Sequence, residues 1–157
     1  MNKTTITVQD WIDALESGKY GQTKGKLYNG HNYCCLGVLC RVGGATFRGD
    51  DRRVVFIEKN GFEYSSYDLL DGVTSTDLTS AVRRVRTEKE FSITPKNSGI
   101  EVAYVLAPNG RVRGPGAWGV SNLFVDLNDD YGASFKEIAQ VARNILRPSA
   151  KLRVWTN

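Results

Sequence analysis

Apolar and polar positions along this chain follow two rhythms, one of three to four residues and one of two. In "TVQDWIDALESG" the residues Val8, Trp11, Ile12 and Leu15 fall on one helical face. Thr7 can cap the start of that helix and Gly18 can end it. "CCLGVLCRV", followed by Gly43-Gly44, is apolar on every side, which predicts a buried helix of about two turns in which Gly37 allows a close approach by another backbone. "TSTDLTSAVRRVRTEKEF" opens with a cap at Ser75 or Thr76 and sets Leu78, Ala81, Val82 and Val85 on one face, predicting an amphipathic helix. The strongest helical pattern is "ASFKEIAQVARNILRPS". Ser134 and Glu137 form a capping box, Phe135, Ile138, Ala139, Ala142, Ile145 and Leu146 form the apolar face, and Pro148 is the stop.

Three Asn-Gly pairs predict hairpin turns, because glycine and asparagine tolerate the left-handed backbone of tight turns. Asn29-Gly30 would join short strands at 25–28 and 31–33. Asn60-Gly61 would turn "RRVVFIEKNGFEYSSY", and Asn109-Gly110 would turn "GIEVAYVLAPNGRVRG". "RGPGAWG", with three glycines and a proline, predicts a loop, and "KLRVW" a last strand. With no internal repeat or long linker, residues 1–157 are expected to form a single α+β domain of antiparallel hairpins packed with three to four helices.

Composition narrows the setting. Of 157 residues, 41% are apolar and 24% charged, with no apolar run long enough to span a membrane. The opening "MNKTTITVQDW" lacks the apolar stretch of a signal peptide, so the three cysteines are expected as free thiols in a reducing cytoplasm. The net charge of +4 suits an anionic partner such as a nucleotide, RNA or an acidic protein surface, and duplex DNA is not the expected partner.

"YNGHNYCCLGVLC" holds every cysteine and the one histidine. A thiol nucleophile would be Cys34 or Cys35 at a helix start, with His31 as its base. A metal site would need all of Cys34, Cys35, Cys40 and His31. However, Cys35 and Cys40 stand about 140° apart around a helix, and the adjacent pair Cys34-Cys35 cannot easily face one ion. The apolar surroundings favour a third reading, in which all three thiols are core. No catalytic residue, metal ligand or cofactor is therefore expected.

Two further stretches carry candidate chemistry. "DLNDDYGASFKE" spaces Asp126, Asn128, Asp130, Ser134 and Glu137 like the ligands of a calcium loop, but it has Tyr131 where that loop requires glycine. A turn followed by a helix cap is the expected structure, without calcium. "PNGRVRGPGAWG" places Arg111 and Arg113 beside a turn and a glycine-rich stretch with Trp118. There, guanidiniums could pair with phosphate oxygens and an indole could stack on a base. Arg83 and Arg84 on the neighbouring helical pattern are the next candidates.

"WIDALESGKYGQTKGKLYNGHNYCCLGVLC" and "LFVDLNDDYGASFKEIA" resemble the corresponding segments of a family of small, mostly uncharacterised proteins of tailed phages and prophages. The resemblance implies phage origin and residence in the host cytoplasm, and it transfers no catalytic residue. With the basic turn, it suggests a phage accessory protein that works by binding, as a counter-defence factor that sequesters a nucleotide-type signal. The alternatives are an inhibitor that binds a host protein and a Cys/His thiol enzyme. The expected partner is a phosphate-bearing small molecule or a host protein, held at Arg111, Arg113, Trp118, Arg83 and Arg84.

Overall fold

The computed structural model describes residues 2–44, 47, 56–57, 63–64 and 75–156. Strand β1 (Asn2–Thr7) runs directly into helix α1 (Val8–Glu16). Thr7 and Asp10 make the reciprocal cap: Thr7 Oγ1 accepts from the Asp10 amide at 3.1 Å, and Asp10 Oδ2 accepts from the Thr7 amide at 2.8 Å. Gly18, at φ +74°, ends the helix as predicted. Val8, Trp11, Ile12 and Leu15 are buried, and α1 packs against α2 (Cys35–Val42) and α5 (Phe135–Ile145).

Helix α2 is the predicted two-turn buried helix. Gly37 lies against the backbone of Leu27, so close that a β-carbon there would sit 1.9 Å from the Leu27 carbonyl oxygen. The chain reverses at Asn29-Gly30 as predicted, but the short strands expected at 25–28 and 31–33 are a correction. Asn29 does not adopt positive φ, and only single bridges form, Tyr28 to Tyr33 and Gln22 to Tyr33. The Asn29 side chain accepts from the amides of His31 and Asn32 across the turn, while the Asn29 amide donates to the Asn32 carbonyl and the Cys34 amide to the Leu27 carbonyl on either side of the Tyr28–Tyr33 bridge.

Strands β2 (Phe56–Ile57) and β3 (Glu63–Tyr64) pair antiparallel, in keeping with the second hairpin, whose Asn60-Gly61 turn lies outside the described residues. Helix α3 spans only Ser75–Ser80. The predicted amphipathic helix stops there, which is a second correction: Val82 bridges Leu146, the Arg83 amide donates to the Ile145 carbonyl, and the Arg147 amide donates to the Ala81 carbonyl. Leu78, Ala81 and Val82 are buried as expected, but beyond α3 the backbone of residues 81–83 pairs with residues 145–147 instead of continuing the helix.

A four-stranded antiparallel meander follows: β4 (Lys89–Ile93), β5 (Val102–Leu106), β6 (Val112–Gly114) and β7 (Ala117–Trp118). The β5–β6 hairpin forms where predicted. Its turn centres on Pro108 and Asn109, with Gly110 at φ +80° following, and the Gly110 amide donates to the Ala107 carbonyl. "RGPGAWG" is not a loop. Pro115 and Gly116 occupy the two central turn positions, proline supplying its fixed φ and Gly116 its φ of +72°, so β6 and β7 can pair.

Helix α4 (Val120–Asp129) is a third correction, since the acidic stretch predicted as a turn contains the end of this helix. Helix α5 starts at the predicted Ser134–Glu137 capping box and buries the predicted face. The last strand, β8 (Lys151–Thr156), pairs with β1 along its whole length, from Asn2 opposite Thr156 to Thr7 opposite Lys151. The assembly is a mixed α+β fold, as predicted, with five helices among the described residues.

Candidate functional site

The thiols lie in the core. Cys34, Cys35 and Cys40 are buried, and the Cys35 thiol donates to the Phe124 carbonyl. Cys34 sulfur caps α2 by accepting from the Gly37 amide. The helix start would favour a thiolate, but desolvation opposes it more strongly. Burial pushes the Cys34 thiol up to about 11 and Cys40 up to about 12, and holds Cys35 well above its ordinary range. His31 is exposed while Cys35 is fully buried, so the exposed nucleophile of a thiol enzyme is not formed.

These shifts set a pH dependence. Below the ordinary thiol value of 9.0 the cysteines are protonated in both folded and unfolded chains. Above it the unfolded chain ionises while the folded one stays protonated up to about 11 and 12, so stability falls as pH rises through that window. Urea midpoints between pH 8 and 11 are expected to decline accordingly, with all three thiols unreactive toward a water-soluble thiol reagent at neutral pH until urea unfolds the chain. Fast native labelling of any of them would contradict their burial.

Asp126 and Asn128 stand on α4 rather than on a loop, so the calcium-like spacing does not produce a ring of ligands. Asn128 is buried and is the centre of a polar junction. Its Oδ1 accepts from the Cys35 amide at 3.2 Å and from Gln22 Nε2 at 2.9 Å. Its Nδ2 donates to the Thr23 carbonyl at 2.9 Å and to Asp129 Oδ1 at 2.8 Å.

Arg111 and Arg113 flank buried Val112 on β6, so both are exposed on the same outward face. They line a cavity of about 250 Å³ with Thr79, Gly110, Val112, Gly119 and Val120, and its wall is predominantly apolar. Arg113 is not free: its Nη2 lies 2.7 Å from Glu88 Oε1. That pair is half-exposed and contributes under ~1 kcal/mol, so it restrains Arg113 more than it stabilises the fold. Trp118 pairs with Arg113 across β6 and β7, and the position of its indole lies outside the described residues.

A second cavity, of about 490 Å³, is lined among the described residues by Ser80, Val82, Arg83, Arg84, Val85, Lys89 and Arg147. The backbone bonds between 81–83 and 145–147 bring Arg83 and Arg147 together, and Arg147 Nη2 donates to the Ser80 carbonyl at 2.7 Å. Lys89 enters from the start of β4. Arg83 Nε is buried without a hydrogen-bond partner, an orphan donor of the kind that costs ~1–3 kcal/mol. No carboxylate is among the described lining residues.

The predicted Arg83 and Arg84 therefore belong to this cavity, while Arg111 and Arg113 belong to its apolar neighbour. Lys89 and Arg147 were not predicted. Period-two alternation in "KEFSI", with Phe91 and Ile93 half-buried and Glu90 and Ser92 exposed, marks 89–93 as a strand. Nothing local marks Arg147, which reads only as a residue at a helix end.

Residues 1–74 are similar to a domain of unknown function, DUF8296. No curated protein and no solved structure is significantly similar to the chain. The matched segment contains α1, the cysteine-bearing α2 and the loop between them. The described lining of both cavities comes from residues 79–147, beyond that segment.

Proposed function

We propose that this protein binds a phosphate-bearing small molecule at the cationic cavity and acts by holding it. The supporting observation is the convergence of Arg83, Arg84, Lys89 and Arg147 on one cavity, with no acidic side chain among the described lining residues. Guanidinium and ammonium donors suit phosphate oxygens, and an anion would screen the like charges. Arg111 and Arg113 extend this positive surface along the neighbouring cavity.

In this reading the protein is a phage accessory factor of the host cytoplasm that sequesters a nucleotide-type signal of host immunity. The phage-type resemblance of its opening and of its 123–139 segment supports that setting. No helix among the described residues is long and apolar enough to cross a membrane. An inhibitor docking on a host protein would be expected to show an apolar patch, and Ile100 is the one exposed large hydrophobic among the described residues.

The test is a thermal-shift and calorimetric panel of mononucleotides, dinucleotides, cyclic oligonucleotides and ADP-ribose derivatives on wild type, Lys89→Ala/Arg147→Ala and Arg111→Ala/Arg113→Ala. Each charge-assisted contact contributes ~1.5–3 kcal/mol, so the Lys89/Arg147 variant should bind at least about 100-fold more weakly. The Arg111/Arg113 variant should lose less, because Arg113 is already paired with Glu88. No stabilisation of wild type by any compound would refute small-molecule binding and favour a protein target. Equal binding by wild type and the Lys89/Arg147 variant would place the ligand elsewhere.

A further inference from the structure

We infer that the two cavities form one bipartite site for a nucleotide carrying at least two phosphates, its base in the apolar cavity and its phosphates in the cationic one. This rests on the anion-binding reading above and specifies the ligand.

The cavities adjoin. Thr79 lines the apolar one and Ser80, its chain neighbour, lines the cationic one. Arg84 lines the cationic cavity, and its guanidinium lies against Gly110 of the apolar one. A methyl group built on Gly110 would sit 3.1 Å from Arg84 Nη1. Arg84 thus stands between the two compartments, where a ligand spanning both would pass its sugar and first phosphate.

The walls differ in chemistry. The apolar cavity is lined by buried Val112 and Val120 and by Gly110 and Gly119, which have no side chains. Such a surface accepts a flat, weakly polar ring and gains little from a free phosphate. Arg111, which also lines it, can stack on that ring. The cationic cavity gathers four positive side chains. One phosphate monoester carries about −1.5 to −2 at neutral pH and would leave about half of that charge uncompensated. Two or more linked phosphates match it.

The experiment is isothermal titration of a nucleoside, its monophosphate, its diphosphate and inorganic pyrophosphate, in adenine and guanine series, into wild type, Thr79→Phe and Lys89→Ala/Arg147→Ala. Wild type should bind one diphosphate at least about tenfold more tightly than pyrophosphate, the monophosphate or the nucleoside. Thr79→Phe fills the apolar cavity from an exposed position. It should remove that advantage while leaving pyrophosphate affinity within about twofold, which also shows that the variant is folded. Lys89→Ala/Arg147→Ala should weaken pyrophosphate and diphosphate alike.

Pyrophosphate binding as tightly as either diphosphate would overturn the base compartment and leave the anion site standing. A monophosphate matching its diphosphate would overturn the need for a second phosphate. Unchanged diphosphate affinity in Thr79→Phe would place the base elsewhere. No binding of any probe to wild type would overturn the anion-binding reading itself.

Discussion

Gly37→Ala should destabilise the fold by about 4 kcal/mol or more, most of the stability of a domain at the low end of the usual range of about 5–15 kcal/mol. Intrinsic propensity argues the other way, since alanine is favoured over glycine inside a helix by ~1 kcal/mol. Gly37 has no left-handed backbone that alanine would strain. Steric conflict decides the sign. The new methyl would sit 1.9 Å from the Leu27 carbonyl oxygen, far inside contact distance, and that oxygen already accepts from the Cys34 amide. Relief requires moving α2 away from Leu27, which breaks the bond to Cys34 and opens the core around Leu36 and Leu39. Urea unfolding followed by fluorescence measures the loss, and a midpoint equal to or above that of wild type would refute the close approach.

Asn128→Ala should cost about 3–5 kcal/mol, unusually large for removing one amide side chain. The side chain joins three stretches of the chain: Gln22 and Thr23, the start of α2 at Cys35, and Asp129 at the end of α4. Truncation orphans the buried Cys35 amide and the Thr23 carbonyl together, at ~1–3 kcal/mol each, and leaves a cavity besides. Asn128→Asp separates hydrogen bonding from volume. It keeps the acceptor for the Cys35 amide but replaces the donor to Thr23 with a buried negative charge beside Asp129. It should be nearly as destabilising near neutral pH and partly recover in acid, where a protonated carboxyl can donate again. A cost under about 1 kcal/mol for Asn128→Ala, read from urea midpoints at unchanged m-value, would show that the junction is not a stabilising one.

Both residues lie in stretches whose local chemistry is open to sequence reading, yet only one was legible. Gly37 stands out because a glycine within "CCLGVLC" has no reason to be there unless another backbone comes close. Asn128 reads as part of an acidic turn, because three of its four partners are 93 to 106 residues away and no local spacing encodes them.

The same division runs through the molecule. Where a short segment contains its own start signal, apolar face and stop, sequence alone determines the element. Helix α1 with Thr7 and Gly18, helix α5 with Ser134 and Glu137, and the hairpin at Asn109-Gly110 are cases of this kind. The burial of the cysteines follows likewise, because a run apolar on every side has no face to offer water. Tertiary structure decided the elements whose hydrogen-bond partners are remote. β1 is a strand because β8 lies beside it. Residues 81–85 carry a helical apolar pattern, yet the helix stops at Ser80, because residues 145–147 supply the backbone partners of residues 81–83. That one pairing also brings Arg147 to Arg83, so the cationic cavity exists only once the chain has folded. A period in the sequence reports which face of a segment is buried, and it carries no information about which distant backbone will satisfy its amides and carbonyls.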